Sequence, residues 1–206
     1  MGFAVSLRSD HPSAQSIQSL WKAVERFEDK PSMTELGYPP HVTLAIYDDP
    51  AVTIDLMRDV MGRVSSNLTA VTLTFDTLRH FEGPPLVLWA SPRPNPDVLS
   101  IHDAVHRLVD PLFCRPHYRP GAWTPHCTLG TRIGSEQRAA ALAFSSGFRG
   151  SFEVVFDGLD CISFPPLAAV DLRKLPWSAE PPQPSIALAP DTFSPKGRRA
   201  RPASLN

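Results

Sequence analysis

Pro40-His41-Val42-Thr43-Leu44-Ala45 is repeated almost residue for residue by Pro125-His126-Cys127-Thr128-Leu129-Gly130. Side chains alternate between faces in a β-strand, so His41 and Thr43 leave one face while Val42 and Leu44 enter a core from the other. The second copy reads the same way, with His126 and Thr128 outward and Cys127 and Leu129 inward. One His-x-Thr tripeptide means little, because chance produces it often and a lone strand histidine is commonly a satisfied, half-buried ring. Two in matching contexts within one domain-sized chain are informative. If a duplicated fold brings the strands together, two imidazoles and two hydroxyls converge on one spot.

The sequence around the motifs predicts such a duplication. Residues 3–7 read as a strand, and Pro12-Ser13 opens a helical stretch with Ile17, Leu20, Trp21, Val24 and Phe27 near helical spacing. A motif strand at about 41–47, a helix at about 51–65 and an alternating strand at 71–78 follow. The second half repeats the order: strand 86–90, helix 97–108, motif strand at about 124–130, short helix 136–144 and a strand over 152–164. A last strand, 168–172, forms a hairpin with it around Pro165-Pro166. Strand, helix, motif strand, helix, strand, twice over, puts both motifs at one dyad.

Paired His-x-Thr strands, each preceded by Pro and followed by Leu, resemble the two-histidine phosphoesterases, in particular the bacterial 2′-5′ RNA ligase family of RNA 2′,3′-cyclic phosphodiesterases. The resemblance covers roughly residues 1–177. It implies an α+β, bilobal fold: duplicated antiparallel sheets related by a pseudo-twofold, flanking helices and a central cleft. It implies no metal and no other cofactor. By motif match it carries over to His41 and His126 as catalytic residues and to Thr43 and Thr128 as substrate-binding ones. Many relatives place an Arg five positions after the second histidine; here that position is Thr131, and Arg132 follows it as a candidate phosphate contact. The implied activity is hydrolysis of 2′,3′-cyclic phosphates of RNA ends or nucleotides, with the reversible 2′-5′ RNA ligase activity that the family's label implies.

The chemistry suits the residue types. Opening a cyclic phosphate with water needs a base for the water and an acid for the departing ribose oxygen, on opposite sides of phosphorus. Histidine, with an ordinary pKa of about 6.5, fills either role near neutral pH. Threonine hydroxyls donate to the non-bridging oxygens. Two alternatives share the residues: a cyclic phosphate of ADP-ribose as substrate, and a non-catalytic protein that only holds RNA ends. A rival hydrolase would bind zinc through His102 and His106, four apart on a helix, but Asp103 replaces the Glu such a motif needs, so surface or partly packed positions are expected. Phe81, Phe164 and Trp123 lie near strand ends where a base-stacking plate would stand, although each reads first as a core or rim residue.

Composition bounds the rest. Of the 206 residues, 42% are hydrophobic, enough for one compact unit. The formal net charge is −1, and Lys196, Arg198, Arg199 and Arg201 sit in the last segment, leaving a slightly acidic body. Such a body suits a small substrate or strand terminus better than a long duplex. Cys114, Cys127 and Cys161 are odd in number and unclustered, as expected of reduced thiols in a cytoplasmic monomer. No stretch approaches a membrane span, and no membrane partner is expected. After Trp177 the Pro181-Pro182-Gln183-Pro184 run and the basic cluster mark 178–206 as a disordered tail outside the catalytic domain of 1–177.

Overall fold

The structure is a computed structural model that describes residues 1–177; the expectation for 178–206 lies outside them. Eight strands form one antiparallel sheet: β1 (Gly2–Arg8), β2 (His41–Tyr47), β3 (Val71–Phe81), β4 (Leu86–Pro92), β5 (Cys127–Ile133), β6 (Phe152–Phe156), β7 (Gly158–Phe164) and β8 (Ala168–Lys174). Four helices accompany it: α1 (Gln15–Val24), α2 (Ile54–Ser65), α3 (Pro96–Leu108) and α4 (Arg138–Gly147). The fold is α+β, with strand order β6-β3-β4-β5-β2-β1-β7-β8. The motif strands β2 and β5 are therefore central, each flanked by the strand that precedes it in its own half.

Local chemistry sets the helix starts. The Thr53 side chain accepts from the Leu56 amide, so α2 begins at Ile54 and not at 51. Asn95 caps α3 through the amides of Asp97 and Val98, with Pro96 at the first helical position. Helix α1 packs on β5, α3 on β2, α2 on β7 and β8, and α4 on β3 and β4. Ile17, Trp21, Val24, Met57, Val60, Met61, Val98, Ile101 and Val105 join the inward residues of the motif strands in one apolar core. The opposite face of the sheet is left to form the cleft.

Two features depart from the pattern reading. The apolar run expected as one strand over 152–164 breaks at Asp157 into β6 and β7, which lie near opposite ends of the sheet. The Asp157 carboxylate accepts from the Asp10 amide at 2.9 Å and its carbonyl accepts from Leu175 at 2.9 Å, anchoring the turn. Strand β3, third in its half by sequence, correspondingly pairs with β4 and β6 in the other lobe. The lobes thus exchange a strand.

His102 and His106 are the second departure: they are 3% and 6% exposed, not surface residues. Their rings lie 4.4 Å apart, and His102 stacks on Trp123 at 4.1 Å. They stand beside Val98, Ile101 and Val105 on the face that α3 turns to the sheet. Among the described residues no third His, Cys, Asp or Glu joins them as a ligand set.

Each motif strand carries a bulge at the same place. Val5 pairs with Ala45 and Ser6 with Thr43, which leaves Leu44 unpaired; Leu88 pairs with Gly130 and Trp89 with Thr128, which leaves Leu129 unpaired. The extra residue reverses side-chain parity downstream. Leu44 and Ala45 are accordingly both buried, as are Leu129 and Gly130, while Ile46 and Thr131 return to the half-buried face. A small residue must follow the leucine: a Cβ on Gly130 would stand 2.6 Å from Cγ1 of Val24.

Candidate active site

The motif strands touch through one register pair, Val42 opposite Cys127. One step along an antiparallel pair in either direction sets His41 across from Thr128 and Thr43 across from His126. By register each histidine therefore faces the threonine of the other motif. Beyond that pair the strands part, and the carbonyls of the motif threonines go to indoles. Trp21 Nε1 donates to Thr128 O at 2.9 Å and Trp123 Nε1 to Thr43 O at 3.0 Å.

Both imidazoles are held by the same local device. Nδ1 of His41 lies 2.9 Å from the Pro39 carbonyl, and Nδ1 of His126 lies 2.7 Å from the Thr124 carbonyl. A carbonyl only accepts, so Nδ1 carries the hydrogen and Nε2 is left to take or give a proton. In each case the accepting residue precedes the motif proline, whose ring confines it to extended conformations. The prolines thus belong to the motif for a geometric reason. Burial lowers the pKa of both histidines; for His41 the Pro39 carbonyl opposes this, and the nearby His126 adds to it.

The two flanks of the cleft differ. On the His41 side, Arg8 pairs with His41 and Ser6 with Thr43 across the sheet, and Ser6 Oγ donates to Thr43 Oγ1 at 3.3 Å. Asp160, 1% exposed, accepts from Arg8 Nη1 at 3.0 Å and from the Tyr38 hydroxyl at 2.8 Å; the Tyr38 ring lies edge-on to His41 at 4.8 Å. On the His126 side the neighbours are aromatic. Phe81 meets His126 edge-to-face at 5.0 Å and stacks on Trp89 at 4.9 Å, and Trp89 lies 5.6 Å from His126.

Other sequence candidates lie elsewhere. Arg132 is exposed and ion-pairs with Glu35 at 3.2 Å, with no bond to a motif side chain. The Thr131 amide, like that of Arg132, donates to Glu28 Oε1. Phe164 packs under the Arg115 guanidinium at 5.7 Å, and Trp123 is committed to Thr43 and His102. Cys127 is buried on the core side, where desolvation pushes its thiol up to about 12, so it is no nucleophile. A cavity of about 710 Å³ takes in Trp21, Tyr38 and Pro39 but none of the four motif side chains, so it adjoins the cleft without being it.

Sequence reasoning missed Tyr38, and also Ser6, Arg8, Trp89 and Asp160, which only strand pairing brings to the site. Tyr38, three residues before His41 as Trp123 is before His126, was the one with a local signal.

Among the described residues no helix is long and apolar enough to cross a membrane. No curated protein matches the chain significantly. Among solved structures, TT0787 of Thermus thermophilus is similar with a TM-score of 0.60 at 14% identity, over 87% of this chain and 100% of that one. E. coli LigT is similar in its complex with 3′-AMP (TM-score 0.54, 17% identity, 84% of this chain and 93% of that one). Its complex with ATP gives a TM-score of 0.52 at 14% identity, over 85% and 99% of the two chains. At such identities the likeness concerns the fold. The model of the 2′-5′ RNA ligase superfamily matches residues 9–165, most of the chain, and the protein belongs to that superfamily.

Proposed function

We propose that this protein is a metal-independent phosphodiesterase that opens 2′,3′-cyclic phosphates of RNA ends or nucleotides by paired-histidine acid–base catalysis, with 2′-5′ joining when a 5′-hydroxyl takes the place of water. The observation that carries the reading is the matched fixing of two imidazoles, each with Nδ1 tied to a carbonyl and each across from a threonine of the other motif. One Nε2 takes the proton of the attacking water while the other protonates the ribose oxygen that leaves. Each well-placed transfer contributes about 10²–10⁴-fold. Thr43 and Thr128 hydroxyls donate to the non-bridging oxygens; because Thr43 Oγ1 already accepts from Ser6, its own hydrogen is free for the phosphate. LigT, similar in fold, binds 3′-AMP in its crystal, and a 3′-phosphate is the form of one product of ring opening.

The test is hydrolysis of 2′,3′-cyclic nucleotides and cyclic-phosphate oligoribonucleotides by wild type, His41→Ala, His126→Ala and the double variant, with and without EDTA. Each single variant should lose most activity, and the double variant little more, since acid and base act as one unit. EDTA should change nothing. Full activity in either single variant, or binding of RNA ends with no turnover in wild type, would overturn the reading.

A further inference from the structure

We infer that His102 is a positioning residue for both motifs: its buried ring braces the short segment from which Trp123 holds Thr43 and Thr124 holds His126. This rests on the proposed reaction and extends it to a side chain that lies outside the cleft and outside the repeat.

His102 makes two contacts with that segment. Its Nε2 lies 2.8 Å from the Tyr118 carbonyl, and its ring stacks on the Trp123 indole at 4.1 Å with planes 5° apart. A carbonyl only accepts, so Nε2 carries the hydrogen. Between the two contacts the chain turns back on itself: the amides of Ala122 and Trp123 both donate to the Arg119 carbonyl, and Gly121 takes a φ of 82°. One ring thus grips the turn where it begins and where it ends.

Two further bonds carry this grip to the chemistry. Trp123 Nε1 donates to Thr43 O at 3.0 Å, in the first motif. Thr124, the next residue, gives its carbonyl to His126 Nδ1 at 2.7 Å, in the second, and Pro125 keeps Thr124 extended. A tilt of the indole would therefore pull on Thr43, and the same movement, passed along one peptide unit, would turn the His126 ring. Tyr38, which precedes His41 as Trp123 precedes His126, is held differently, by its hydroxyl on Asp160. Among the described residues it makes no hydrogen bond to the second motif, so the dual support belongs to the His102 side alone.

The position needs a histidine for a physical reason. A phenylalanine would stack but leave the Tyr118 carbonyl without this donor, and a glutamine would donate but offer no plate. A flat ring with an N–H in its own plane does both, and imidazole is the smaller of the two side chains so built. Burial lowers the His102 pKa, so the ring stays neutral at neutral pH and places no charge between α3 and the sheet.

Two measurements test this on His102→Phe and His102→Gln, each of which keeps one of the two contacts. The first does not depend on activity: hydrogen exchange at the indole N–H groups, followed by NMR. Loss of either contact should speed exchange at Trp123 about 10-fold, while Trp21, which bonds Thr128 from α1, keeps its wild-type rate. A general loosening of the fold would speed both alike. The second is steady-state kinetics on a 2′,3′-cyclic nucleotide. Both variants should lower kcat by about 10- to 100-fold with KM changed by no more than about twofold, because the misplaced groups act in the transition state. Combined with Trp123→Phe, which removes the indole donor, His102→Gln should cost less than the product of the two single losses, since both lie on one route. Unchanged exchange at Trp123, equal change at both indoles, an unchanged kcat, a full product of losses or failure of both variants to fold overturns the role given to His102, while wild-type turnover leaves the reaction itself standing. Absence of that turnover sinks the reaction, and the exchange rates then still decide whether His102 holds the turn.

Discussion

Trp21 on helix α1 donates its indole N–H to the carbonyl of Thr128 on β5, so an element of the first half fixes a motif residue of the second. Trp123, which leads into β5, returns the bond to Thr43 on β2. The motif strands pair at only one position, and an unpaired interior carbonyl beside the divergence would be costly. The indoles supply the missing donors and leave the strands free to open into a cleft.

Trp21→Phe keeps most of the apolar contact and removes the donor. The stranded Thr128 carbonyl should cost about 1–3 kcal/mol. Urea unfolding should show a lower midpoint, and the loosened Thr128 should lower kcat more than it raises KM. A stability loss with kcat intact would mean that the indole bond serves packing alone.

Thr43→Val and Thr128→Val keep volume and strand preference but remove a hydroxyl donor. Where one oxyanion-type donor is lost, rates fall about 10²–10³-fold, and that is the expected loss in kcat for each. Ser6→Ala should have a smaller effect in the same direction, because it frees the Thr43 hydroxyl rotor without deleting its hydrogen. Steady-state kinetics on a cyclic nucleotide decide the matter, with unchanged kcat in both valine variants removing the threonines from the chemistry.

What was legible in the sequence was what is local. Alternation through His41-Val42-Thr43-Leu44 gave the facing of the motif side chains, and Pro40 and Pro125 stand where the carbonyl before them must be extended. The adjacent buried pairs Leu44-Ala45 and Leu129-Gly130 carry the trace of a bulge, but only partner strands reveal it as a parity reversal. The strand exchange at Asp157 was invisible, because an apolar run says nothing about which edge it will join. The Arg8–Asp160–Tyr38 cluster was invisible for the same reason: it depends on β1 pairing with β7. His102 and His106 read as surface or partly packed residues because polarity masked a fully inward helical face.

Asp160→Asn tests that cluster. Arg8 would keep Asp10, at 2.7 Å, but lose its buried partner, and removing one member of such a pair costs on the order of 3 kcal/mol. The kinetic consequence has a definite sign. Asp160 favours the protonated form of His41 and Arg8 disfavours it, so removing the carboxylate lowers the His41 pKa and leaves the effect of Arg8 in place. If His41 is the base, the acid limb of the bell-shaped pH–rate profile moves to lower pH, although the limbs belong to the coupled histidine pair. Movement to higher pH would contradict the placement of this charge.

His106 provides the sharpest prediction for stability against pH. Both of its ring nitrogens are buried without a well-formed hydrogen bond among the described residues, and burial, aided by nearby His102 and opposed by the backbone of Tyr118 and Leu44, lowers its pKa to about 4. Unfolded, it titrates at about 6.5, so the unfolded chain binds the extra proton between these values. Stability is therefore complete above about pH 6.5 and falls as the pH drops towards 4, by at most about 3 kcal/mol from this residue. His41, His102 and His126 are shifted the same way and add to the slope, so the wild-type curve alone does not isolate His106. His106→Leu does: it fills nearly the same volume, removes two stranded nitrogens and should gain about 1 kcal/mol at pH 7. Its advantage over wild type should then widen between pH 6.5 and 4.5, read as the difference in urea midpoints. A difference that does not change across that window would mean that His106 is already protonated in the folded protein, and that the packing of α3 on β2 accommodates a charge.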